Sequence, residues 1–322
     1  MAGQRLMVGI AGKEADADAR RLIEDYRVGG VILFSRNLGE PDQVRGLCSD
    51  LAQCAREAGL PPLFIAVDQE GGQVARLAPP FTQFPGNPFI RSREQAEQFA
   101  KDCAADLLWA GFNMNMAPVL DVPLVADSIM ADRAFSPDPG RVSELGTAVI
   151  EGLQRRGVLA VAKHFPGIGR TTLDSHVDLP TCQATAKELK EDLLPFAAAV
   201  AQGVAGVMLS HIVYPALDET WPASMSPAIA RDLLRDKMGY NGLVLTDDLD
   251  MGAIARHFDV ETAADQALAA DVDLVLICKP GPSIGRVHEH MARALEDDPM
   301  LVSAAQKSME RMAQARKRFT RT

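Results

Sequence analysis

Eight short apolar runs, each followed by a helix-length amphipathic stretch, punctuate the 322-residue chain from end to end. The runs are Leu6–Ile10, Val31–Phe34, Leu63–Val67, Asn113–Met116, Leu159–Ala162, Val207–Leu209, Leu243–Leu245 and Leu274–Ile277. Most are continuous hydrophobics, the pattern of parallel strands covered on both faces. Asn113–Met116 departs from it, because Asn113 and Asn115 alternate with apolar neighbours. Helix-end signals fill the gaps. Ser226-Pro227 supplies an N-cap and a first-turn proline, and Gly239 closes that helix. Ser92-x-x-Gln95 and Thr185-x-x-Glu188 have capping-box spacing, and the stretch Val142–Arg156 stops at Gly157. Strand and helix alternating eight times, with no low-complexity linker, predict an α/β fold: one (β/α)8 barrel, a single domain over 1–322. Leu301–Arg321 reads as an extra C-terminal helix packed on the outside. A doubly wound open sheet is the alternative, but Gly9-Ile10-Ala11-Gly12-Lys13 does not supply its G-x-G-x-x-G turn.

Composition narrows the partners. A formal net charge of −10 argues against nucleic acid and against an anionic membrane surface. The five cysteines, Cys48, Cys54, Cys103, Cys182 and Cys278, are odd in number and have no C-x-x-C spacing. They point to neither a disulfide framework nor a zinc site. Met1-Ala2-Gly3-Gln4-Arg5 lacks the apolar stretch of a secretion signal, and no run reaches membrane-spanning length. A soluble protein of the reducing cytoplasm, monomeric and without a membrane partner, is the expectation.

In such barrels the active site lies at the C-terminal ends of the strands. Polar residues crowd those positions here: Ser35-Arg36-Asn37, Asp68-Gln69-Glu70, Asp121 with Asp132-Arg133, Lys163-His164, Ser210-His211 and Asp247-Asp248. Asp68, Arg76, Arg133, Lys163 and Asp247 can converge on one small polar ligand. Carboxylates accept from hydroxyls while arginine and lysine donate to oxygens, a set that suits a sugar ring. The competing reading is that some are ion pairs bracing the loops.

Cleavage of a glycosidic bond ordinarily uses two carboxyl groups. Asp247 is a candidate for the group at the anomeric carbon. Neighbouring side chains on a strand face opposite ways, so one of Asp247 and Asp248 is expected to be a structural acceptor instead. The second group is not an obvious carboxylate. The segment Lys163-His164-Phe165-Pro166-Gly167-Ile168-Gly169-Arg170-Thr171-Thr172-Leu173-Asp174-Ser175-His176 offers Asp174 and His176 two residues apart. Asp174 can fix the imidazole tautomer and favour its protonated form, and an imidazolium can protonate a departing oxygen. Gly167 and Gly169 are expected to let this loop swing. The plainer alternative makes Asp174 a turn cap and His176 a surface residue. His257, His288 and His290 lie in helical stretches and read as solvated. No H-E-x-x-H spacing occurs, so no metal is expected. Gly281-Pro282-Ser283-Ile284-Gly285 reads as a helix-start turn.

Taken together, these segments resemble glycoside hydrolase family 3, and within it the single-domain β-N-acetylglucosaminidases of bacterial cell-wall recycling. The resemblance rests on Gly30–Asn37, Val67–Gly72, Asn115–Val122, Asp132-Arg133-Ala134-Phe135, Lys163–His176 and Thr246-Asp247-Asp248-Leu249, in that order. It implies a retaining, two-step, cofactor-free reaction. Asp247 matches the nucleophile, His176 the acid/base and Asp174 its partner. Asp68, Arg76, Arg133, Lys163 and His164 match residues that hold the N-acetylglucosamine unit. Larger relatives draw a carboxylate acid/base from a second domain, so here the proton donor is expected from the barrel itself. Ile168 stands where the family usually has histidine, and Gln73 where it usually has arginine. The implied substrate is a muropeptide fragment, N-acetylglucosamine linked to anhydro-N-acetylmuramic acid. Three rivals remain: a phosphorylase on the same site, attack by the substrate's acetamido group, and a non-catalytic sugar-binding barrel.

Overall fold

The computed structural model describes residues 1–320, and a closed barrel of eight parallel strands forms its centre. The strands are β1 (Leu6–Gly9), β2 (Gly30–Leu33), β3 (Phe64–Val67), β4 (Met114–Asn115), β5 (Leu159–Phe165), β6 (Gly206–Leu209), β7 (Leu243–Asp248) and β8 (Leu274–Ile277). They stand in chain order, and β8 closes onto β1 with Leu6 opposite Val275 and Met7 opposite Leu276. Helices α1 (Ala17–Glu24), α2 (Pro41–Glu57), α3 (Arg93–Ala110), α4 (Pro139–Arg155) and α5 (Leu189–Ala201) follow the strands of the same number. A π-helical segment, Ala228–Lys237, follows β6; α6 (Gly252–Ala255) and α7 (Val260–Ala269) follow β7. Two more, α8 (Pro282–Asp297) and α9 (Pro299–Phe319), come after β8. This is the (β/α)8 barrel expected from the strand and helix rhythm.

Side chains alternate across a strand, so a continuous apolar run feeds two cores at once. On β1, Leu6 and Val8 pack toward the helices while Met7 faces inward; on β8, Val275 and Ile277 pack outward while Leu274 and Leu276 face inward. The interior layer continues through Phe64 and Ala66, Leu159 and Val161, and Leu243 and Leu245. Carrying the same phase one step up each strand reaches Asp68 after Ala66, Lys163 after Val161 and Asp247 after Leu245. The alternation that builds the core thus aims these three charges at the barrel mouth.

Element ends differ from expectation where side chains compete with the backbone. Strand β4 keeps only Met114–Asn115. Asn113 Oδ1 accepts from Ile65 N at 2.9 Å, and Asn115 Oδ1 accepts from Gln69 N at 3.0 Å. Both β5 and β7 run past their apolar residues, so Lys163, His164 and Asp247 sit within the strands. Helix α4 begins at Pro139, where Asp138 caps Gly140 N at 2.8 Å. The Thr185–Glu188 box forms reciprocally, at 2.8 and 3.3 Å. Ser226 Oγ does accept from Ile229 N at 3.2 Å, but the helix it opens is wound as π.

The C-terminal helix corrects the sequence reading. Instead of lying outside the ring, α9 plugs the N-terminal mouth of the barrel. Met312, Ala315 and Phe319 join the interior cluster beside Met7, Phe64 and Leu243. Arg316 donates to Pro62 O and Gln4 Oε1, both at 2.9 Å, and lies 4.9 Å from the Phe64 ring centroid. Arg311 and Arg235 share the buried carboxylate of Asp273 at 2.8 and 2.7 Å. Arg321, the end of the anticipated helix, lies outside the described residues. Phe319→Ala is expected to cost about 3 kcal/mol in urea unfolding and to leave kcat/KM unchanged. A cost under about 0.5 kcal/mol contradicts the plug and returns α9 to the surface.

Candidate active site

At the opposite mouth, Asp68, Arg76, Arg133, Lys163, His164, His176 and Asp247 line one cleft of about 170 Å³. Phe34, Glu70, Met208, Asp248 and Met251 complete much of its wall. All eight residues singled out from the sequence are therefore gathered here, Asp174 standing behind His176 rather than in the wall.

The floor is an ion-pair network. Lys163, 3% exposed, places its ammonium 2.8 Å from Asp68 and 2.7 Å from Glu70. Arg133 grips Glu70 through Nε at 3.1 Å and Nη2 at 2.8 Å, and Arg76 reaches Asp68 at 3.6 Å. Burial disfavours ionisation of Asp68 and Glu70, yet the Lys163 and arginine charges outweigh it and hold both carboxyls below their usual values. Burial likewise opposes the Lys163 charge, but its two carboxylates win and raise its pKa. Bracing and ligand binding are therefore not rival readings of these residues: the pairs fix charged groups that still face the cleft.

Asp247 and Asp248 divide as the strand alternation requires. Asp247 faces the cleft, with Oδ1 accepting from Asp248 N at 2.8 Å. Burial works against its charge, but His211, His164 and Lys163 nearby bring its pKa below the usual carboxylate value. Asp248 Oδ1 instead accepts from Cys278 N at 2.9 Å and Asp250 N at 3.0 Å, which ties the end of β7 to β8. Its carboxyl is pushed up to about 6 by burial. His211 props the same strand end. Its Nε2 lies 2.9 Å from Asp248 O, which only accepts, so Nε2 carries a proton, and Nδ1 pairs with Ser224 Oγ at 2.7 Å. Burial lowers the His211 pKa.

The loop after β5 supplies the remaining imidazoles. His164 Nδ1 meets Asp121 Oδ2 at 2.7 Å, and Asp121 Oδ1 accepts from Ile168 N at 2.8 Å. The Ile168 departure thus leaves the loop held through its backbone, and the Ile168 side chain is buried. Further on, Asp174 Oδ1 accepts from His176 N at 2.9 Å and contacts His176 Nδ1 at 2.8 Å. That contact orients the ring and leaves Nε2 available at the cleft. The two glycines expected to act as a hinge stand at points of close approach. A Cβ on Gly169 would collide with Val122 O, and one on Gly167 would approach Asp192 Cβ to 3.0 Å. They are the packed root of the loop.

Sequence reasoning passed over Glu70, Asp121 and His211 as site residues. Glu70 shares the parity of Asp68, but facing inward requires the Gln69–Gly71 and Val74–Ala75 hairpin, which turns on Gly71 and Gly72 at φ 91° and 60°. Asp121 and His211 act through backbone partners distant in sequence. Of the other histidines read as solvated, His257 is exposed as expected, whereas His288 and His290 are half-buried. His257 sits in a turn and bonds Asp178 at 2.5 Å, His290 bonds Asp265 at 2.8 Å, and His288 packs 5.1 Å from Tyr26. A larger cavity of about 720 Å³, near Arg45, Cys48, Trp109 and Phe112, has neither carboxylate nor imidazole in its wall. Among the described residues, no group of three His, Cys, Asp or Glu side chains is arranged to hold a metal.

Replacing Lys163 by methionine is expected to destabilise the protein by about 3 kcal/mol near pH 7, because two buried carboxylates lose their shared cation. Burial then raises their folded pKa values above the unfolded ones. The folded variant takes up protons first as pH falls, so its deficit against wild type shrinks toward about pH 5. Urea unfolding at both pH values checks this; a deficit that is pH-independent or below about 1 kcal/mol contradicts it.

The comparisons with known proteins agree with this geometry. Residues 2–322 match the family model described as the glycosyl hydrolase family 3 N terminal domain. The chain is 37% identical over 318 residues to a beta-hexosaminidase of Thiobacillus denitrificans, covering 90% of this chain and 87% of that one. A beta-hexosaminidase of Nitrosomonas eutropha is 38% identical over 284 residues, covering 85% and 80%. The family 3 β-N-acetylglucosaminidase structure from Paenibacillus sp. str. FPU-7 aligns with a TM-score of 0.95 at 37% identity. That match takes in 98% of this chain but only 61% of the Paenibacillus chain. The β-N-acetylhexosaminidase structure from Beutenbergia cavernae aligns with a TM-score of 0.91 at 28% identity, covering 98% and 97%. A parallel barrel with this charged mouth and these relatives belongs to glycosyl hydrolase family 3, and the chain is a glycoside hydrolase.

Proposed function

We propose that the chain is a retaining exo-β-N-acetylglucosaminidase, working as a single domain and releasing non-reducing-end N-acetylglucosamine from muropeptide fragments. The observation that carries the reading is the sharing of one cleft by Asp247 and His176, with Asp174 fixing the imidazole from behind. In the first step the Asp247 carboxylate attacks the anomeric carbon and forms a glycosyl ester. The bond to the leaving oxygen breaks as protonated His176 gives that oxygen its Nε2 proton. In the second step neutral His176 takes a proton from water, which attacks the anomeric carbon and frees Asp247. Asp68, Lys163, Arg76, Arg133 and His164 hold the sugar through its hydroxyl and acetamido oxygens.

The ordering of charges supports this division of labour. Asp247 keeps a depressed pKa, which suits a nucleophile that must stay ionised, and Asp248 is committed to backbone amides. Two exposed cations, Arg256 and Lys279, line the depression that His176 shares with Asp250 and Met251. A leaving group bearing carboxylates, as a muropeptide does, would meet them there. The five cysteines are free and buried, which suits a reducing compartment such as the cytoplasm. Among the described residues, no helix is long and apolar enough to cross a membrane.

Paired aryl β-glucoside and β-N-acetylglucosaminide substrates, each with and without phosphate, test the reading. Turnover is expected on the N-acetylglucosaminide alone, with free sugar as product in both buffers. Sugar 1-phosphate would instead identify a phosphorylase, and no turnover a binding protein. His176→Ala is expected to lower kcat/KM on an unactivated leaving group by about 10²- to 10⁴-fold. A loss below about threefold removes His176 from the proton-transfer role.

A further inference from the structure

The loop that carries His176 is held over the cleft by very little. From Thr172 to Val177 only Ser175 is buried, while Leu173 and Val177 are 42% and 52% exposed. Its internal bonds, Val177 N to Asp174 O and His176 to Asp174, shape the turn without attaching it to anything. Among the described residues, two hydrogen bonds tie Thr172–Leu179 to the rest of the molecule. Ala253 N donates to Ser175 O at 2.9 Å, and His257 Nε2 meets Asp178 Oδ1 at 2.5 Å.

Both attachments go to the same short segment, the one that follows β7 after Asp248. The contact is close. A Cβ on Gly252 would stand 2.5 Å from His176 O and 2.8 Å from Val177 O, so only glycine lets the loop settle there. The segment itself is well anchored. Ile254 is buried, Phe258 N donates to Ile254 O at 2.9 Å, and the Phe258 ring packs 5.6 Å from Trp221. His257 thus projects from a fixed base toward a weakly held loop, and it is the one side chain on that base that hydrogen-bonds the loop.

We propose that His257 and Asp178 form a latch that keeps the Asp174–His176 turn docked beside Asp247, making His257 a positioning residue for proton transfer. The proposal rests on the reading of His176 as proton donor. Its physical basis is that a donor must sit within hydrogen-bond reach of the leaving oxygen, and small misplacements are costly. Neither latch residue lines the cleft, so the pair acts through the loop.

The test compares kcat/KM on two N-acetylglucosaminides, one with a 2,4-dinitrophenyl leaving group and one with an unactivated phenyl group. The activated group departs with little protonation; the other depends on it. His257→Ala and Asp178→Ala are each expected to lose about tenfold on the phenyl substrate and less than about twofold on the dinitrophenyl one. The double variant is expected to lose no more than either single one. His257→Gln, which retains an N–H donor, is expected to recover part of the loss. His290→Ala, which breaks a similar pair with Asp265 between α8 and α7, serves as the control and is expected to match wild type on both. Equal losses on the two substrates, or none, overturn the latch while His176→Ala still shows the leaving-group dependence. If His176→Ala lacks that dependence, the proton-donor reading falls first and takes the latch with it.

Discussion

A single buried ammonium, that of Lys163, stands within 2.8 Å of both Asp68 and Glu70, and the upper layer of the barrel is organised around keeping it paired. A lone charge in that position would be costly, as would either carboxylate without it. Pairing solves both problems at once. It also brings together three strand ends and a hairpin: β3 supplies Asp68, the following hairpin Glu70, β5 Lys163 and the loop after β4 Arg133. The resulting floor is rigid and charged but has little net charge of its own. A neutral, hydroxyl-rich ring is the kind of ligand such a surface accepts, because it can bond to every group without demanding that any pair be broken outright.

Asp247 depends on the same frame from the other side. The phase of β7 that sends Leu243 and Leu245 into the core sends Asp247 into the cleft, and Asp248 is turned to the backbone of β8. His211, buried and doubly hydrogen-bonded, holds the end of that strand. The two chemical groups proposed for the reaction therefore have unequal support. Asp247 sits on a strand that the whole core specifies, whereas His176 sits on a loop docked by a glycine contact, a backbone bond and one side-chain pair. That contrast fits a reaction in which the nucleophile must be placed once and the proton donor must make room for substrate.

Much of this was legible in the residues because it follows from periodicity. Strand positions, the barrel, and the inward aim of Asp68, Lys163 and Asp247 come from a period of two within apolar runs. The Asp174–His176 contact is local enough to read from spacing. What escaped were features set by tertiary contact. Glu70 faces the cleft only because a hairpin folds back, and Asp121 matters through the amides of His164 and Ile168. Gly169 is needed for close approach to Val122, and α9 looked like a surface helix but fills the barrel end. Glycine and amphipathic helices have several uses, and sequence alone does not say which neighbour will arrive.

The most direct measurement is trapping with a 5-fluoro N-acetylglucosaminyl fluoride, followed by intact mass and peptide mapping. A covalent adduct of one fluorinated sugar per chain, located on Asp247, is the outcome this account predicts. Turnover of the reagent with no adduct, or an adduct on Asp248, would contradict it.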